Sequence, residues 1–149
     1  MNLLDRPLFI KWQENSNTDI ALIDEQHKGI VSIINTLYYM VGMGKGNNKL
    51  YLRIIDTLTN YSSIHFTTEE GMLEAYGFKD LEKHKALHKK LLLDMERVRH
   101  NTMNDSQPLL EFLKKWWLEH INEQDMLYAP YLRAGSKAAS IQSVPPLKK

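Results

Sequence analysis

Leu81-Glu82-Lys83-His84-Lys85-Ala86-Leu87-His88-Lys89-Lys90-Leu91-Leu92-Leu93-Asp94-Met95-Glu96-Arg97-Val98 is the stretch that decides the fold. Leu81, His84, His88, Leu91, Met95 and Val98 recur at steps of three and four, the repeat of one helix face. Charged residues fill many of the other places, so an amphipathic helix is expected, opening near Asp80 as its cap. Two consecutive positions on its inward stripe are histidine. A helix that turns two imidazoles toward a core requires something there to meet them.

The pattern recurs on both sides. From about Asp19 to Val41 the stripe reads Ile20, Ile23, Ile30, Ile34, Leu37, Val41, and His27 fills its one gap. From about Lys49 to Tyr76 it reads Ile54, Leu58, Tyr61, His65, Glu69, Met72, Tyr76, with Asn48 as N-cap and Gly77 as stop. A fourth helix begins after Ser106, carries Pro108 in its first turn, and reads Leu109, Leu113, Trp116, His120 before fading near Tyr128, ahead of Pro130. Four such helices with short connections predict an all-α, up-down-up-down antiparallel four-helix bundle over residues 1–133. Residues 1–18 are expected as an extended N-terminal arm anchored by Trp12. Residues 134–149 hold no acidic and few apolar side chains, so a flexible, disordered C-terminal tail is expected.

Composition narrows the function. A net charge of +1 gives no electrostatic case for nucleic acid or an acidic membrane. No apolar run approaches the roughly 20 residues that span a bilayer, and the N-terminal residues lack a secretory pattern, so no membrane insertion is expected. The absence of cysteine excludes disulfides, iron–sulfur clusters and cysteine zinc sites, and a cytoplasmic location is expected. Gly42-Met43-Gly44-Lys45-Gly46 is no phosphate cradle, because no Gly-Lys-Ser/Thr follows it.

Each predicted helix sends histidine inward: His27, His65, His84 with His88, and His120. His65 and Glu69, like His84 and His88, are four apart and share a face. Buried polar groups without partners cost about 1–3 kcal/mol each, and buried Glu69 and Asp125 would cost more. A bound transition metal satisfies all seven together, and five imidazoles exceed what one ion usually takes. Asp125 is the irregular member: five residues rotate it some 140° from His120, so the helix is distorted or the carboxylate reaches across from a neighbouring ridge. Glu70 is read as solvated and His100 as exposed near a helix end.

Trp12, Ile23-Asp24-Glu25-Gln26-His27-Lys28, His65-Phe66 followed by Glu69-Glu70, His84-x3-His88 and Trp116-x3-His120-Ile121-x3-Asp125 form an ordered set. Over residues 8–132 that set resembles the hemerythrin family, in its bacterial single-domain members. The resemblance implies two iron ions with an oxo or hydroxo bridge: His84, His88 and His120 on one, His27 and His65 on the other, and Glu69 and Asp125 bridging. It implies reversible dioxygen binding rather than catalysis; beside it, a monomer and an oxygen-consuming or signalling partner protein are expected. The dioxygen pocket would be Ile30, Phe66, Trp116, Trp117 and Ile121, with Trp117 standing where the family usually has leucine. Other readings of the same residues are an oxygen sensor, an enzyme handling peroxide or nitric oxide, and a single zinc on His84, His88 and His120. The zinc reading leaves His27, His65 and Glu69 unexplained.

Overall fold

The computed structural model describes residues 3–44, 49–101 and 107–141. Four helical rods carry the chain: α1 (Ala21–Gly42), α2 (Lys49–Ala75), α3 (Leu81–Asn101), and a composite fourth rod. The fourth comprises α4 (Gln107–Trp116), a π-helical stretch (Trp117–Gln124) and α5 (Asp125–Ile141). No strand occurs among the described residues, and no helix among them is long and apolar enough to cross a membrane. Successive rods pack side by side, and α1 closes onto α4. Pairing numbers run in opposite senses: Asp56 meets Arg99, Thr59 meets Met95, and Glu70 meets His88. The expected up-down-up-down bundle is therefore what forms.

The ends show why each rod starts and stops. The first helix begins at Ala21 rather than Asp19, because Asp19 takes a left-handed backbone (φ 63°). That turn lets the Asp24 carboxylate accept the Thr18 N–H, the Thr18 hydroxyl and the Asp19 N–H at 2.7–3.1 Å. The second rod closes as a Schellman motif: Gly77 (φ 68°) donates to the Glu74 carbonyl and Phe78 to that of Leu73. The expected cap Asn48, and Ser106 ahead of the fourth rod, lie outside the described residues.

Two expectations need correction. The buried face of α2 is Tyr51, Ile55, Leu58, Ser62, His65, Phe66, Glu69 and Leu73, rotated slightly from the expected stripe, with Ile54, Tyr61, Met72 and Tyr76 on its flanks. The last helix does not fade ahead of Pro130 but runs through it to Ile141. An interior proline costs a helix about 3 kcal/mol. Here it sits on the exposed side, while Tyr128, Ala129 and Leu132 around it are buried. Residues 134–141 of the expected tail are thus helical, and 142–149 lie outside the described residues.

The core divides into two apolar clusters. The larger holds Ile30, Ile34, Leu58, Phe66, Leu113, Trp116, Trp117 and Ile121 among others; the smaller is Leu73, Tyr128 and Leu132. Between them lies the layer of inward histidines and carboxylates. The N-terminal arm lies along α1. Ile10 donates its N–H to Asn35 Oδ1 (2.8 Å) and accepts from Asn35 Nδ2 (2.9 Å), both groups buried. Phe9 stacks on Tyr38 at 4.7 Å, and Trp12 packs on Trp117 at 5.7 Å with the Lys28 ammonium over its ring.

Candidate metal centre

All five expected histidines meet in one buried layer, each presenting Nε2 to the Glu69 and Asp125 carboxylates. His84 is the least enclosed, with 10% of its side chain exposed. Glu69 spans the layer: Oε1 lies 3.1 Å from His65 Nε2, while Oε2 lies 3.3 Å from His88 and 3.6 Å from His84. Asp125 spans it likewise, with Oδ2 3.0 Å from His27 and Oδ1 3.7 Å from His120. Two sets of ligand atoms result, Glu69 with His84, His88 and His120, and His27, His65, Glu69 and Asp125, each set within 4.8 Å. The two groups of donor atoms are thus close enough together to hold a metal ion, and Glu69 is common to both.

The π-helical stretch explains how Asp125 joins. Its N–H donates to the His120 carbonyl, an i→i+5 bond, in place of the α-helical i→i+4. A π-turn rotates roughly 80° per residue, so five residues bring Asp125 back near the His120 face instead of leaving it some 140° away. Of the two alternatives read from the sequence, the distorted helix is the one observed.

Unmet polar atoms test whether a metal fits. Glu69 Oε2, Asp125 Oδ1 and the Nε2 atoms of His84, His88 and His120 are buried without a hydrogen-bond partner among the described residues. They converge on one space, where cations would satisfy them together. The charge states differ within the layer: at His65 burial is outweighed by Glu69 and Asp125, which raise the imidazole above its ordinary value, whereas two other histidines are lowered. Burial lowers His27 to about 4 and His120 to about 3, so both are neutral at pH 7, as ligation demands. Burial would raise Glu69, but the imidazoles of His65, His84 and His88 hold it well below its ordinary value. Burial and the neighbouring Glu69 push Asp125 well above its own, against the pull of His65, and its Oδ2 lies 3.0 Å from His27 Nε2.

Two of these imidazoles are oriented from outside the layer. Thr68 donates its hydroxyl to the Ile64 carbonyl (2.9 Å), so its oxygen accepts from Gln26 Nε2 (3.1 Å). That turns Gln26 Oε1 toward His65 Nδ1 at 2.8 Å. The Nδ1 of His65 must then carry the proton, leaving the Nε2 lone pair directed inward. Glu70, an acceptor, does the same for His88 through Nδ1 at 2.9 Å. Such outer partners orient metal-bound imidazoles and raise their basicity. Glu70 is thus not the solvated residue the sequence suggested. Its place one residue after Glu69 points it toward α3, and only the packing of α3 reveals that. Tyr128, also unassigned from sequence, donates its hydroxyl to Glu69 Oε1. Burial and the two carboxylates push its phenol well above the ordinary value, which keeps it a donor. His100 is exposed at the end of α3, as expected.

Ile30, Phe66, Trp116, Trp117 and Ile121 are all buried in the cluster beside this layer. Phe66 stacks on His88 at 3.9 Å, and Trp117 meets His27 edge-on at 5.9 Å.

Comparison with known proteins agrees with this geometry. The family profile described as "Hemerythrin HHE cation binding domain" matches residues 18–132. A bacteriohemerythrin of Methylococcus capsulatus is 31% identical over 121 residues, covering 78% of this chain and 91% of that one. One from Pseudomonas aeruginosa is 33% identical over 125 residues, covering 82% and 80%. Among solved structures, wild-type hemerythrin superposes with a TM-score of 0.71 at 28% identity, over 83% of this chain and 98% of that one. A hemerythrin mutant in which one leucine is replaced by alanine gives 0.73 at 27% identity, over 85% and 98%. Profile, relatives, bundle and ligand layer converge: the chain belongs to the hemerythrin HHE cation-binding domain family.

Proposed function

We propose that this chain binds dioxygen reversibly at a pair of non-haem irons and acts as an oxygen-binding protein rather than an enzyme. The observation that carries the proposal is the pair of imidazole–carboxylate ligand sets sharing Glu69, one of them with three imidazoles, with Asp125 also facing both halves. His84, His88 and His120 would hold one iron and His27 and His65 the other. Glu69 and Asp125 would bridge them, with an oxo or hydroxo group as the third bridge. When bound, two ferrous ions supply the electrons that reversible dioxygen uptake draws on.

The protein's own part is to orient, neutralise and exclude. Gln26 and Glu70 hold the lone pairs of His65 and His88 inward. Two carboxylates offset cationic charge that would otherwise repel strongly in a dry core. Tyr128 steadies Glu69 and takes up part of its charge. The apolar wall of Ile30, Phe66, Trp116, Trp117 and Ile121 would form the ligand pocket, and keeping water and protons out of it favours reversibility over irreversible oxidation. Nitrogen-rich ligation, with no glutamate three residues before any histidine, also separates this site from the Glu-x2-His carboxylate sites of ferritin-like bundles. The names of the bacteriohemerythrin relatives support the same reading.

The test is the visible spectrum of the reduced, iron-loaded protein cycled between anaerobic buffer and air. A band that appears in air and disappears under anaerobic conditions over repeated cycles is expected. Immediate, permanent oxidation would overturn reversible binding and point to a redox enzyme or sensor at the same residues.

A further inference from the structure

The two halves of the ligand layer are not equivalent outside their ligands. In the three-histidine half, the outer nitrogen of His88 donates to a carboxylate, Glu70 Oε1, at 2.9 Å. In the two-histidine half, the outer nitrogen of His65 donates to a neutral amide, Gln26 Oε1, at 2.8 Å. A charged acceptor draws the Nδ1 proton away more strongly than an amide and leaves Nε2 the stronger donor. Asp24 acts on His27 only through space, since Thr18 and Asp19 occupy its carboxylate, which bonds to no imidazole among the described residues. The His27 and His120 Nδ1 atoms have no partner among the described residues, so they add no such difference.

We propose that Glu70, acting through His88, makes the three-histidine half the first to bind a divalent metal, and that Gln26 leaves the two-histidine half the second and weaker. This rests on the two-metal reading above. Glu70 is a positioning residue: it touches no metal and works through the basicity and orientation of one ligand. Loading in order has a consequence for assembly. The first ion engages Glu69, and the second then completes a half whose shared carboxylate is already placed.

The experiment is calorimetric titration of the metal-free, full-length chain with Co²⁺ under anaerobic conditions, against a competing chelator. The wild type is expected to bind two equivalents in two resolved steps. Glu70→Gln keeps the hydrogen bond and removes the charge. It should weaken the first step by about 10–100-fold, the usual effect of losing an outer partner, and leave the second within a few-fold. Gln26→Glu should tighten the second step and narrow the gap. Glu70 is partly exposed at the surface of α2, and circular dichroism of each variant checks the fold. A first step unchanged in Glu70→Gln overturns the inference. So does an equal weakening of both steps, which is what a merely structural role would give. A wild type that takes only one equivalent overturns the two-metal reading itself, whatever the variants do.

Discussion

Asn35→Leu should detach the N-terminal arm while leaving the bundle folded. Leucine has the branched shape of asparagine, with bulkier methyls in place of the amide, and suits a helix interior better, so α1 itself is not weakened. What disappears is the pair of bonds at 2.8 and 2.9 Å that satisfy the buried Ile10 N–H and carbonyl. If the arm stays docked, two unpaired backbone groups cost about 1–3 kcal/mol each, about 2–6 kcal/mol together. If it lifts, the chain loses the burial of Ile10, about 1.5–3 kcal/mol. It also loses the Phe9–Tyr38 and Trp12–Trp117 ring contacts, each about 0.5–1.5 kcal/mol. Lifting regains about 1 kcal/mol of backbone entropy for each residue freed, so it is the cheaper route. Hydrogen exchange at the Ile10 amide should therefore become fast, with the amides of α2 near His65 still protected. Trp12 leaving Trp117 would also open the wall beside His27, so dioxygen exchange should quicken. An Ile10 amide as protected as in the wild type would refute the reasoning.

Three further outcomes follow from the same geometry. In metal-free protein, the depressed values of His27 (about 4) and His120 (about 3) mean the unfolded chain binds two more protons below pH 6.5. The raised Asp125 and His65 keep protons on the folded side while the lowered Glu69 gives one up near the acid end, so the net is at most about one proton, and stability falls by up to about 1.4 kcal/mol per unit as pH drops from about 6.5 toward about 4.5. Urea midpoints at pH 6.5 and 4.5 check this, and equal midpoints or the reverse order would contradict it. His84→Ala should lower iron to one per chain or less, because it removes one of three nitrogens from a half and strands the rest; iron analysis reading two would contradict the ligand assignment. Trp117→Leu should keep both irons, cost about 1–3 kcal/mol for the cavity left beside Trp12 and His27, and change the dioxygen off-rate or autoxidation rate. Stopped-flow rates matching the wild type would remove Trp117 from the pocket.

The parts of this protein legible in the sequence are those with helical period. His27, His65, His84, His88 and His120 each occupy a place where an apolar residue belongs, and that alone gathers them into one layer. Asp125 is legible as a ligand by resemblance but not by geometry, because an α-helical count aims it elsewhere and only the i→i+5 bond to His120 brings it round. Pro130 misleads because a local breaker says nothing of the burial of Tyr128, Ala129 and Leu132 that holds the helix through it. Glu70, Gln26 and Tyr128 are hidden for another reason. Their partners lie on other rods, at His88, His65 and Glu69, and single-helix periodicity carries no information about which side chain a neighbouring rod brings opposite.

The central claim is two metals held by seven named side chains. Anomalous diffraction at the iron edge on crystals of the iron-loaded protein tests it directly. Two peaks are expected, one bonded to the Nε2 atoms of His84, His88 and His120 and the other to those of His27 and His65, with Glu69 and Asp125 touching both. A single peak, or a pair not shared by these carboxylates, would contradict it.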